Sequence, residues 1–127
     1  MTRIAAQIVA IVEDDESVRI AMRGLVRSYG FTAEAFESGE AYLAADAPER
    51  TGCLITDVEM PGMDGFALVR RLGERGCHTP VVMVSAGTSP DLEGRALECG
   101  ARGLLRKPFP AAALIAHLDA TLGAGRA

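Results

Sequence analysis

The chain has 127 residues, 49% of them hydrophobic, which is enough for one sizeable core and suits a single domain spanning 1–127 with its core over about 7–122. A net charge of −4 supplies no surplus of Lys and Arg to neutralise phosphates, so direct nucleic-acid binding is not expected. No apolar run approaches membrane-spanning length, the opening MTRIAAQIVAIVEDD reads as a first strand rather than a signal peptide, and Cys53, Cys77 and Cys99 lie far apart without zinc-ligand spacing, which points to a reduced, cytoplasmic protein.

In chain order, Ile8–Val12 (IVAIV) is a short, continuously apolar run of the kind found in strands covered on both faces. A helix follows in SVRIAMRGLVRSY, where Val18, Met22, Leu25, Val26 and Tyr29 share one face. Arg19, Arg23 and Arg27 fall four apart on another face, which reads as solvated. FTAEAF (Phe31–Phe36) is a second, weaker strand, and Ser38 is placed to cap a second helix. Cys53–Thr56 (CLIT) and Val81–Val84 (VVMV) are again fully apolar. Helices are expected after Gly65, near Pro90 and near Pro110, since proline suits a first helical position. The last of these would bury Leu114, Ile115, Leu118 and Leu122. GLLRK (Gly103–Lys107) is a fifth strand, and GAGRA is a tail. Repeated strand-helix alternation predicts an α/β fold, a doubly wound parallel sheet with helices on both faces in three layers. Ligands of such sheets bind at the carboxyl ends of the strands.

Those strand ends carry Glu13-Asp14-Asp15, Asp57, Ser85 and Lys107-Pro108. Glu13, Asp14 and Asp57 gathered on one rim repel one another unless a cation intervenes. Carboxylates, a carbonyl and waters, with positions left for phosphate oxygens, describe Mg²⁺ better than zinc or a closed calcium cage. Asp15 and Glu16 read as ordinary helix-start acids. His78 and His117 have no partners at ligand spacing, and the cysteines read as small core fillers.

The acidic pair in VEDDE, the aspartate in ITDVEMPGMDG, the pair Ser85-Ala86 and the Lys-Pro of RKPF occur in this order, each after an apolar run. Together they resemble a response-regulator receiver domain, the phosphoacceptor module of two-component signalling. The resemblance covers roughly residues 7–122 and implies the flavodoxin-like strand order 2-1-3-4-5. It also implies that Asp57 is phosphorylated by a sensor histidine kinase or histidine phosphotransfer protein. Mg²⁺ (or Mn²⁺) is implied on Glu13, Asp14, Asp57 and the backbone carbonyl of Glu59. Ser85 becomes the switch hydroxyl, the Ala86 backbone and Lys107 contact the phosphoryl group, and the Lys107-Pro108 peptide is cis. The chemistry suits these residue types. An ionised carboxylate attacks phosphorus without a general base, and phosphoryl transfer needs chiefly alignment and charge neutralisation. Lys107, the chain's only lysine, reaches a phosphoryl oxygen as a compact point charge.

The chain departs from the family pattern in places. Leu104 stands where a Tyr or Phe commonly changes rotamer with the switch hydroxyl. Glu59 and Gly87 occupy the two positions that tune hydrolysis. No output domain is expected after the last helix, so output is expected through the surface of the fourth helix, fifth strand and fifth helix, onto a downstream protein partner or a second copy. Glu93, Arg95, Glu98, Arg102 and Arg106 offer mixed charge there. Such a chain is a signalling phosphoacceptor rather than an enzyme, catalysing only its own phosphorylation and dephosphorylation. A haloacid-dehalogenase-type phosphohydrolase would want a second Asp where Glu59 stands. A receiver switching without phosphate would not need Glu13, Asp14, Asp57, Ser85 and Lys107 together, and a flavodoxin would need a phosphate loop after the first strand.

Overall fold

A computed structural model of the chain describes residues 8–122; residue 7 and the GAGRA tail lie outside them. The elements follow as β1 (Ile8–Val12), α1 (Glu16–Ser28), β2 (Thr32–Phe36), α2 (Gly39–Ala44), β3 (Thr51–Asp57), α3 (Gly65–Glu74), β4 (Val81–Ser85), α4 (Leu92–Glu98), β5 (Gly103–Arg106) and α5 (Ala111–Leu122). The five strands are parallel in the order β2-β1-β3-β4-β5, the expected topology.

The central strands are largely apolar because both of their faces are covered. Ala10, Val12, Leu54 and Met83 point into a core with Tyr42, Leu68, Leu72 and Ala96, so α2, α3 and α4 lie on one face. Val9, Ile11, Ile55, Val82 and Val84 point the other way, against Met22, Val26, Leu114 and Leu118 of α1 and α5. Burying a Leu or Val side chain is worth about 1.5–3 kcal/mol, so alternate residues of each strand hold opposite helix layers in place.

Caps set the helix starts. Asp15 accepts from the Val18 amide, Ser38 from Ala41 and Asp64 from Ala67, each in an extended conformation, satisfying amides that have no partner inside the helix. The sequence reading of Asp15 and Ser38 agrees with this. Four local expectations are corrected. Tyr29 is the C-cap of α1 and is exposed rather than part of its buried face. Helix α4 begins at Leu92, two residues beyond Pro90, because Ser89 to Asp91 form a turn in which Leu92 bonds back to the Ser89 carbonyl. The arginine stripe on α1 is not simply solvated: Arg19 donates to the Glu13 carbonyl at 2.9 Å and Arg27 to the Ala33 carbonyl at 2.9 Å. Strand β3 is longer than CLIT, running from Thr51 through Asp57.

Candidate functional site

Parallel strands in register bring their carboxyl ends to one rim. Val12 pairs with Thr56, and Asp57 pairs with Val84, so Glu13 and Asp14, one step past β1, emerge beside Asp57 at the end of β3. Lys107 follows β5, and its amide bonds the Ser85 carbonyl at 2.7 Å. The expected acids, hydroxyl and ammonium therefore lie on one side of the sheet.

Carboxylate oxygens of Glu13, Asp14 and Asp57 all lie within 4.8 Å of one another. Glu13 and Asp57 are buried, whereas Asp14 is exposed. The Glu13 carboxylate accepts from the Asp15 amide at 3.1 Å and from Lys107 Nζ at 3.1 Å. The same ammonium stands 3.5 Å from Asp57 Oδ2. Asp57 Oδ1 is buried and has no hydrogen-bond partner among the described residues. A buried, unpartnered carboxylate oxygen costs on the order of 1–3 kcal/mol or more, a cost that a cation or donor reaching this atom would offset.

The electrostatics agree. Burial, followed by the negative charge of Glu13, lifts the Asp57 carboxyl from 3.8 to about 6, with Glu59 and Asp14 adding to the lift and Lys107 opposing it. Burial works against the Lys107 ammonium, but its bond to Glu13 and the charges of Asp57 and Glu13 outweigh it and hold the pKa above the ordinary value. One cation cannot balance three carboxylates. Hard oxygen donors, an orphan oxygen and excess negative charge fit a divalent ion of the Mg²⁺ kind, so the residues present suit the group the sequence suggests.

Ser85 is fully buried. Its hydroxyl donates to Glu59 Oε2 at 2.6 Å and accepts from the Gly87 amide at 2.8 Å. Glu59 follows β3 on the loop to α3, and Ala86 and Gly87 begin the loop to α4. At the position where a phosphohydrolase would keep an acid-base aspartate, the carboxylate is thus engaged by a serine. Leu104 packs at the edge of the core containing Met83 and Ala96, and the Lys107-Pro108 peptide is cis.

Two residues of this region, Gly65 and Arg106, hold places in it beyond the helix start and the surface charge read from the sequence. A Cβ on Gly65 would stand 2.5 Å from the Asp57 carbonyl, so only glycine lets the start of α3 press against the end of β3, where its amide bonds the Val58 carbonyl at 2.9 Å. Its signal is the glycine that ends GMDG. Arg106 donates to the Gly87 carbonyl at 2.8 Å and to the Ser89 carbonyl at 2.9 Å; nothing in RKPF marks that contact.

Comparison with known proteins gives the same picture. The model of the response regulator receiver domain matches residues 9–119, and the chain belongs to that family. It is 37% identical over 115 residues to the transcriptional regulatory protein FixJ of Azorhizobium caulinodans, covering 91% of this chain and 54% of the relative. Against the response regulator protein TodT of Pseudomonas putida it is 34% identical, covering 92% of this chain and 52% of the relative. The chain therefore spans about half the length of these curated relatives. Among solved structures, the chemotaxis protein CheY4 of Vibrio cholerae superimposes with a TM-score of 0.82 at 31% identity, over 91% of this chain and 98% of that one. A response regulator receiver protein from Burkholderia phymatum gives 0.79 at 39% identity, over 91% and 94%.

Proposed function

We propose that the chain is a Mg²⁺-dependent phosphoacceptor, taking a phosphoryl group onto Asp57 from a phosphohistidine of a sensor histidine kinase or histidine phosphotransfer protein. The observation that carries this reading is Asp57 Oδ1, buried and unpartnered in a cluster of carboxylates beside the Lys107 ammonium. An Asp57 oxygen attacks phosphorus, the new O–P bond forms as the P–N bond breaks, and the imidazole keeps the electron pair. Attack requires the ionised carboxylate, which needs no general base.

Glu13, Asp14, Asp57 and the backbone carbonyl of Glu59 hold the divalent ion, Mg²⁺ or Mn²⁺. When bound, the ion offsets the negative charge that otherwise raises the Asp57 pKa and that gathers on the phosphoryl oxygens. Lys107 bonds a phosphoryl oxygen as a point charge, and the Ala86 amide and Ser85 hydroxyl complete the cradle. Glu13 orients Lys107 before the phosphoryl group arrives, through the 3.1 Å bond. Glu59 and Gly87 set how readily water reaches the acyl phosphate.

In this reading the chain turns over no separate substrate. It works in the cytoplasm as a relay, and its output is a change in the surface formed by α4, β5 and α5, onto a downstream protein or a second copy of the chain. Neither nucleic acid nor a membrane is contacted directly. Incubation with acetyl phosphate and Mg²⁺ followed by intact-mass measurement tests the proposal. One phosphoryl adduct is expected, absent when the metal is chelated and absent in Asp57→Asn. A chain that takes no adduct from acetyl phosphate and does not respond to beryllofluoride is not a phosphoacceptor.

A further inference from the structure

The loop between β4 and α4 is tied down at two points that phosphorylation would have to release. At its start, the Ser85 hydroxyl donates to the Glu59 carboxylate at 2.6 Å, within the range of charge-assisted O–H···O⁻ bonds, which are about twice as strong as neutral ones. A hydroxyl has one hydrogen. While Glu59 holds it, Ser85 has no hydrogen to give to an oxygen arriving on Asp57. Further along, the exposed Arg106 guanidinium bonds the Gly87 carbonyl at 2.8 Å and the Ser89 carbonyl at 2.9 Å. The sheet fixes where that arginine can reach, because Ser85 and Arg106 are register partners in the β4-β5 ladder. Gly87 joins the two ties: its amide donates to Ser85 Oγ, and a Cβ there would stand 3.1 Å from both Glu59 Oε2 and Ser85 Oγ. Leu104, which pairs with Met83 and packs against the core that includes Leu92 and Ala96 of α4, has no polar group with which to hold a loop.

We propose that Glu59 and Arg106 form a two-point latch that holds the β4-α4 loop in its phosphate-free position, Glu59 by engaging the Ser85 hydroxyl and Arg106 by clasping the carbonyls of Gly87 and Ser89. Both are positioning residues, and the inference rests on the reading of Asp57 as phosphoacceptor. A latch lowers the population of the phosphoryl-competent loop and weakens the apparent affinity of the site by the same factor. Releasing either point tightens it. The Arg106 half is distinctive because charge alone predicts the opposite: removing a cation near an anion site weakens anion binding.

The test is titration of Mg²⁺-loaded protein with beryllofluoride, followed by NMR, in wild type and variants. Arg106→Ala and the charge-preserving Arg106→Lys, whose single nitrogen replaces the planar two-nitrogen fork that spans the carbonyls, are expected to bind beryllofluoride at least about three-fold more tightly. Glu59→Ala is expected to tighten binding about ten-fold. In a Ser85→Ala background that gain shrinks to about two-fold or less, because only relief of charge repulsion remains. Unchanged or weaker binding in the Arg106 variants, or an equal Glu59→Ala gain in both backgrounds, overturns the latch. Failure of wild type to bind beryllofluoride would instead overturn the phosphoacceptor reading itself.

Discussion

At the scale of single residues, the buried carboxylate of Asp57, set among other acids, works against the fold. Its carboxyl sits at about 6 in the folded chain against an ordinary 3.8, with burial and the Glu13 charge as the leading causes. Below the ordinary value both folded and unfolded chains hold the proton, and Asp57 costs nothing. As pH rises through the window up to about 6, the unfolded chain releases the proton more readily, so stability falls, and above that window the full cost remains. With divalent ions chelated, Asp57→Asn is therefore expected to be more stable than wild type at neutral pH, by about 1–2 kcal/mol, with the advantage vanishing near pH 4. Thermal unfolding across pH measures it. The acids and the lysine were legible in the sequence because each ends an apolar run. The Ser85–Glu59 bond was not, because it joins residues 26 apart and depends on the loops after β3 and β4 meeting.

Among the elements, β3 and α3 carry the sharpest steric requirement. The approach of Gly65 to the Asp57 carbonyl leaves no room for a methyl group, since a Cβ would stand 2.5 Å from that oxygen. Gly65→Ala is expected to cost about 1–3 kcal/mol and to weaken divalent-ion binding by shifting Asp57, read by denaturant unfolding and by metal titration. A second test lies on α2. Tyr42 is buried, its hydroxyl donating to Thr51 Oγ1 at 2.8 Å, which in turn donates to the Ala47 carbonyl at 2.8 Å. Burial pushes its phenol up to about 12. Tyr42→Phe breaks the chain of bonds and should cost about 1 kcal/mol in urea unfolding, without altering metal affinity. Apolar runs located the strands and periodicity the first helix, while the other helices were read from Ser38, Gly65, Pro90 and Pro110, and their exact starts depended on turns. Pro90 suits a helix start, yet the Ser89 hydroxyl bonds the Asp91 carboxylate and the turn delays α4 to Leu92.

At the scale of the whole molecule, the order β2-β1-β3-β4-β5 makes the site a meeting of four strand ends on one rim, with a helix layer on either side. Strand-helix alternation made the parallel sheet legible, and the family pattern supplied its order. The Arg106 clasp lay beyond both, because an arginine on an edge strand has many possible partners until the register with Ser85 is known. A cation at the rim relieves the repulsion among Glu13, Asp14 and Asp57, so Mg²⁺ at 100 times its dissociation constant is expected to stabilise the fold by about 2.7 kcal/mol. Calcium-free calorimetric scans with and without Mg²⁺ read that increment, and a melting temperature indifferent to Mg²⁺ would count against the metal site.

In the proposed function the phosphoryl group ends on Asp57 itself. The most direct measurement treats the acetyl-phosphate-labelled, Mg²⁺-loaded protein with borohydride, which reduces an acyl phosphate to an alcohol, and then maps the change by peptide mass spectrometry. Homoserine is expected at position 57 and at no other acid. Homoserine at another position, or none in a protein that carries the adduct, would contradict it.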